Sequence, residues 1–178
     1  MSKNILFILM PKDFKDEEFY EPYNILKEKN YKLDVVGMSQ NKSIGVNGYE
    51  FTPNLSLKDL SIEKLHTYDA LVIPGGPGSV TYLWNNKTIQ DIVIEFHKNK
   101  KIIAAICYAV IAIVEAGILS NKNATVFPSN EAKEIFKKHN VNFIENGSVT
   151  LEKEKIITAQ GPKFAKEFGH EIVKLLEK

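Results

Sequence analysis

Arginine is absent from these 178 residues, and cysteine occurs once, at Cys107. Without a guanidinium, any grip on phosphate or carboxylate must come from lysine, a point charge with no planar fork. A single thiol forms no intrachain disulfide and builds no multi-cysteine metal cluster. The four histidines show no zinc-site spacing, so no metal is expected. Gly76-x-Gly78 is followed by Thr81 where a dinucleotide motif needs its third glycine, and no cofactor is expected. No hydrophobic run reaches the length of a membrane span. The first, Ile5 to Met10, stops at Pro11-Lys12-Asp13; it is too short to span a membrane and lacks a small-residue cleavage site. It reads as a first strand, in a cytoplasmic protein. A net charge of +1 gives no reason to expect nucleic acid or an acidic membrane as partner. What remains, 44% hydrophobic and 25% charged, fits one globular domain over residues 1–178.

Periodicity then places the elements. Strands are predicted over 5–10, 33–38 and 70–73, with a hairpin over 43–51 turning at Asn47-Gly48. Helices are predicted over 17–30, where Pro22 is tolerable only within the first turn or two, and over 88–99. Residues 53–65 read as a loop with a short helix at most. Short strands follow at 124–127, 142–145, 148–151 and 156–159, partly hairpin-like around Asn146-Gly147. A helix capped by Asn130 runs to Lys138, and Pro162 opens the last helix. This alternation predicts an α/β fold: a mostly parallel central sheet with helices on both faces.

The stretch from Lys100 to Gly117 organises the rest. Ile102 to Ile106 is apolar at every position, as in a strand buried on both faces. Past Cys107 the pattern becomes helical, and Gly117 can close the helix at C′. Cys107 thus stands where a central strand turns into a helix, at the carboxyl edge where open α/β sheets place their sites. Helix amides facing the thiol favour its anion, so Cys107 is expected to ionise more easily than a free thiol. The bland alternative is a small buried core residue.

Four acids, Asp16, Glu17, Glu18 and Glu21, cluster past the first strand on that same edge. Most are expected to complement a helix dipole, and one can reach the thiol and share a proton with it. The Gly75-Gly76-Pro77-Gly78 turn has a backbone bare enough to bring amides to an oxyanion. None of His66, His97, His139 and His170 is placed by sequence beside Cys107. Its neighbour Tyr108 offers a phenol, a poor base at neutral pH.

The motifs E-F-Y-E-P (18–22), L-V-I-P-G-G (71–76), A-A-I-C (104–107), E-A-G-I-L (115–119), A-T-V-F-P (124–128) and Gly161-Pro162, taken in order, resemble the ThiJ/PfpI superfamily. That group includes the Parkinson-disease protein deglycase, bacterial glyoxalase III chaperones and archaeal intracellular proteases. The resemblance implies a flavodoxin-like three-layer sandwich working as a homodimer or higher homo-oligomer. It implies that Cys107 is the reactive cysteine on a strained turn and that Glu18 is the acid contacting it. It further implies that Gly76 and the Tyr108 backbone supply the oxyanion amides. Protease-like members carry histidine where Tyr108 stands. The deglycase-type histidine on the A-T-V-F-P strand is Phe127 here, and its arginine before Gly-Pro is Gln160. The C-terminal His-x-Glu of class I glutamine amidotransferases is missing.

The implied function is a cysteine-dependent, stress-protective glyoxalase or deglycase acting on a small aldehyde such as methylglyoxal, or on a glycated substrate. A non-catalytic redox sensor or chaperone with an oxidisable Cys107 is the alternative. An intracellular cysteine peptidase would need an imidazole from elsewhere.

Overall fold

A computed structural model describes residues 2–178. The chain begins with strand β1 (Asn4–Leu9), strand β2 (Lys12–Phe14), helix α1 (Asp16–Glu28) and strand β3 (Lys32–Gly37). Strands β4 (Ser43–Gly45), β5 (Glu50–Phe51) and β6 (Leu55–Ser56) precede the short helix α2 (Ile62–His66) and strand β7 (Ala70–Ile73). Helices α3 (Ser79–Tyr82) and α4 (Lys87–Lys98), strand β8 (Ile102–Ile106) and helix α5 (Val110–Glu115) form the middle of the chain. Strand β9 (Asn123–Ala124), helix α6 (Asn130–Lys138), strands β10 (Asn142–Phe143), β11 (Ser148–Leu151) and β12 (Ile156–Ala159), and helix α7 (Ala165–Leu176) complete it.

Seven strands form the central sheet in the order β11-β12-β8-β7-β1-β3-β6. All its neighbours pair in parallel except β11, which runs antiparallel to β12. The layers are those of a flavodoxin-like sandwich, as expected. Strands β7, β8 and β12 are buried at every position, because helices cover both faces and pairing leaves no edge exposed. Each fully buried Ile, Leu or Phe contributes roughly 1.5–3 kcal/mol relative to exposure, so the sheet centre is the main store of stability.

Helices α1 and α7 lie against each other, with Gly169 at the contact. A Cβ there would sit 3.0 Å from Pro22 Cα and 2.8 Å from Ile25 Cδ1, so a larger residue would push the helices apart. Pro22 falls in the second turn of α1, where it removes the N–H that would pair with the Glu18 carbonyl.

The hairpin predicted around Asn47-Gly48 forms, with β4 and β5 antiparallel and Gly48 at φ 89°. Its turn is held from outside. The buried Asp16 carboxylate accepts the amides of Asn47 and Tyr49, both at 2.8 Å. Gly45 leaves room for that carboxylate, since a Cβ would come within 2.7 Å of it. The hairpin packs on the first turns of α1 through Phe19 and Phe51, whose ring centroids lie 4.8 Å apart edge to face. Strand β2, which the sequence pattern did not reveal, joins it in parallel through β4.

Several boundaries differ from expectation. Ser129, not Asn130, caps α6, accepting the Ala132 amide at 3.1 Å. The predicted strand 124–127 shrinks to Asn123–Ala124. The hairpin expected at Asn146-Gly147 is not one: β10 pairs in parallel with β9, and β11 pairs with β12. Pro162 opens a 3-10 turn over Pro162–Phe164 that leads into α7. Among the described residues, no helix is long and apolar enough to cross a membrane.

Replacing Asp16 with Ala strands two turn amides that water repairs only in part, and is expected to cost about 1–2 kcal/mol. Urea denaturation measures this; a change below about 0.5 kcal/mol would show that the hairpin does not need the carboxylate.

Candidate active site

Strand β8 delivers Cys107 to the carboxyl edge of the sheet, at the start of a 3-10 turn (Cys107–Ala109) that leads into α5. Cys107 has φ 59°, a left-handed conformation that costs a residue with a Cβ roughly 1–2 kcal/mol. The strained turn implied by the family resemblance is therefore present. Gly117, at φ 79°, closes the helical segment as predicted. Tertiary contacts fix the turn. The indole N–H of Trp84 donates to the Tyr108 carbonyl at 2.8 Å, and the two rings meet edge to face at 5.6 Å.

The glycine turn after β7 wraps around the thiol from the other side. The Gly75 amide donates to Glu18 Oε2 at 3.0 Å, and the Gly75 carbonyl accepts the Lys15 amide at 2.8 Å. Gly78 N–H donates to the Asp13 carbonyl at 3.0 Å. Side chains have no room here. A Cβ on Gly75 would overlap the Ile106 carbonyl and lie 2.9 Å from both Cys107 Cβ and Glu18 Oε2. Gly76 takes φ 125°, a region that L side chains rarely adopt.

Glu18, Gly76, Cys107 and Tyr108 all line one cavity of about 200 Å³, together with Lys15, Pro77, Phe127 and Pro162. Larger hollows lie elsewhere, including one of about 420 Å³ between Leu60 and Ile92. That one contains no thiol, and its carboxylates are already engaged, Asp91 by Lys87 and Glu95 by His66. Chemistry therefore selects the smaller cavity.

The acid cluster divides its labour. Asp16 holds the hairpin, Glu17 pairs with Lys15 at 3.6 Å, and Glu18 turns inward. Glu18 is 0% exposed and Cys107 is 5% exposed. Oε1 of Glu18 is buried without an aligned hydrogen-bond partner, while the carboxyl acts on the neighbouring thiol as both charge and hydrogen-bonding group. Burial raises Glu18 from its ordinary value of 4.5 to about 8, against the smaller opposing pulls of Cys107, the Gly75 amide and Lys15.

The thiol departs from expectation. Burial pushes Cys107 up, and the negative charge of an ionised Glu18 pushes it further. The Tyr108 and Gly76 amides pull it down without winning. The readily ionised thiol expected from position alone is thus reversed, because enclosure outweighs two amides and a short helix. Glu18 keeps its proton at neutral pH, so its contribution to that push applies only above about pH 8.

None of the four histidines lines this cavity. His66 pairs with Glu95 at 2.7 Å on the surface. A cysteine peptidase would lack its base here. The sequence does not single out Trp84, and it marks Pro162 only as a helix opener and motif residue, not as a wall of this cavity. Their roles depend on contacts between segments far apart in the chain, and no local spacing marks them.

A sequence model of the DJ-1/PfpI family matches residues 3–175. An uncharacterized protein of Methanocaldococcus jannaschii is 37% identical, covering 98% of this chain and 82% of its own length. A deglycase of Pyrococcus furiosus is 28% identical over 69% of this chain and 71% of its own. A glutathione-independent glyoxalase of Caenorhabditis elegans is 26% identical over 98% and 89%, respectively. Among solved structures, a ThiJ/PfpI domain protein from Brachyspira murdochii superposes with a TM-score of 0.89 at 28% identity, covering 99% of this chain and 97% of that one.

Because the folded protein holds the Glu18 proton up to about pH 8 and the unfolded chain releases it near 4.5, protonation favours the folded state. This contribution is whole below about pH 4.5 and is lost as pH rises through about 8. The urea midpoint is expected to fall from pH 5 to pH 8 in the natural chain and to flatten in Glu18→Gln. An equal slope in both proteins would contradict the assignment.

Proposed function

The chain belongs to the DJ-1/PfpI family, and from that premise we propose that it is a cysteine-dependent enzyme converting small 2-oxoaldehydes such as methylglyoxal to 2-hydroxyacids. One observation carries the reading: an enclosed thiol shares its cavity with a buried carboxyl that has an oxygen free and a pKa close to neutrality. Relatives named deglycase and glyoxalase support enzymatic chemistry in the family. The protein would serve in the cytoplasm, removing reactive aldehydes or their adducts before these accumulate.

The chemistry follows from the groups present. Cys107 Sγ adds to the aldehyde carbon, and a C–S bond replaces the carbonyl π bond. Glu18 gives its proton to the carbonyl oxygen and receives the thiol's, so the hydrogen is conserved in the hemithioacetal hydroxyl. The Gly76 and Tyr108 amides, which interact with the sulfur in the resting site, would stabilise the oxygen as it becomes negative. Glu18 next releases the thiol's proton to solvent; its carboxylate then takes the C1 hydrogen as a proton and delivers it to C2, while the hydroxyl proton passes from the oxygen on C1 to the oxygen on C2. C1 is oxidised as C2 is reduced, and the product is a thioester. Water cleaves it to the hydroxyacid and restores the thiol. A carboxyl of about 8 suits both halves, since it is a fair acid and a fair base near neutrality.

Purified protein is therefore expected to form lactate from methylglyoxal, and Cys107→Ser to form none. The rate should rise with pH and level off just above about 8, where Glu18 becomes the base. Glu18→Gln should lose about 10²–10⁴-fold and the pH-dependent limb with it. Lactate formation at an equal rate by Cys107→Ser would end the proposal.

The unpartnered Glu18 Oε1 also favours a second reading, in which the thiol responds to peroxide. Two equivalents of peroxide would add two oxygens to sulfur and release two waters, and the protonated carboxyl would donate to the resulting sulfinate. Intact-mass spectrometry should find oxidation halting at two added oxygens in the natural chain and running on in Glu18→Gln. A mass unchanged by peroxide would eliminate this reading.

A further inference from the structure

The hollow around Cys107 does not end at Phe127. A second one, of about 340 Å³, shares Phe127 and Pro162 with it and continues along Pro128, Gly161 and Phe164. We propose that the substrate carries an aromatic or comparably bulky apolar group next to its reacting aldehyde, and that this group crosses Phe127 into the second hollow. The inference rests on the aldehyde reading of the Cys107 site and narrows its substrate class.

Size argues first. The Cys107 cavity, about 200 Å³, is large enough for a ring-sized group, and the second hollow gives a substrate room to extend beyond Phe127. The second hollow shares two of the first one's walls, Phe127 and Pro162. Its lining argues next. Phe127 is 42% exposed, although Thr125 and Val126 just before it are fully buried. The chain thus turns a large apolar ring outward at the junction of the two hollows. That ring meets Tyr108 edge to face at 5.1 Å, extending a row of rings from Trp84 toward the second hollow. Phe164 forms a further wall and lies directly on Gly147, where an added Cβ would overlap its ring. The missing side chain at Gly147 therefore sets where this wall stands. No carboxylate lines the second hollow, and its polar groups are Gln160 and Lys163. Aromatic edges and faces at this spacing reward another ring more than a hydrated tail.

A covalent probe separates this inference from catalysis. Iodoacetamide and N-benzyl-iodoacetamide are compared for their rates of alkylating Cys107, followed by intact mass, with N-acetylcysteine giving the intrinsic ratio. The natural chain should prefer the benzyl reagent by about tenfold over that ratio, the scale expected for a ring placed in an apolar pocket. Phe127→Ala should return the preference to the intrinsic ratio. Gly147→Ala, which displaces the Phe164 ring, should reduce it. Turnover of phenylglyoxal against methylglyoxal should follow the same order, and with no arginine in the chain the reagent meets no guanidinium to consume it. No benzyl preference in the natural chain, or a preference untouched by both substitutions, overturns the inference even if methylglyoxal is turned over. A benzyl preference without turnover of either aldehyde upholds the second hollow and instead removes the enzymatic reading.

Discussion

One buried carboxyl ties three distant segments together. Glu18 Oε2 accepts the Gly75 amide, and the carboxyl also acts on the Cys107 thiol at the end of β8. The contact holds because glycine backbones replace side chains where the β7 turn passes between α1 and Cys107. A buried carboxyl is costly when ionised, so the arrangement is stable only with its proton kept near neutrality. The same constraint that keeps the fold intact there leaves a proton available at the sulfur.

The scaffold around Glu18 explains why the carboxyl points inward. Asp16, two residues earlier on α1, is engaged by the hairpin amides, and Phe19 is locked against Phe51. These neighbours fix the rotation of the first turn of α1, and Gly169 fixes its height by letting α7 come close to Pro22. The hairpin, which contributes nothing to the chemistry directly, thus acts as a clamp on the helix that carries the acid.

Enclosure decides the electrostatics of the site. Two amides and a short helix cannot offset the removal of the thiol from water, so Cys107 rests protonated beside a protonated carboxyl. On the proposed reading, reactivity would come from coupling: the sulfur would give up its proton as the substrate oxygen takes one, with a single carboxyl handling both. The rings of Tyr108 and Phe127 add apolar surface to the cavity lining.

Much of this was legible in the residues. The unbroken apolar run at Ile102–Ile106 identifies a doubly covered strand, and the change of period after Cys107 identifies the turn. Asn47-Gly48 marks its hairpin, although the turn formed is not the primed one that pair suggests: only Gly48 takes a positive φ, and its amide donates to the Gly45 carbonyl. Asn146-Gly147 carries the same signal and misleads. There the glycine is required by the Phe164 ring above it, and no local rule sees a neighbour seventeen positions away. Short pieces such as β2, β6 and α3 also escape notice, since two to four residues hold no period and exist only through what they pack on.

Sequence alone determined the α/β class, the place of Cys107 at a strand-to-helix junction and the nearness of an acid cluster, because these follow from periodicity along the chain. Tertiary structure decided which acid faces the sulfur, how much water the site loses and hence the direction of both pKa shifts. It also decided that Phe127 opens onto a second hollow. These depend on enclosure by segments far apart in the chain, and desolvation is a property of the closed cavity that no single stretch carries.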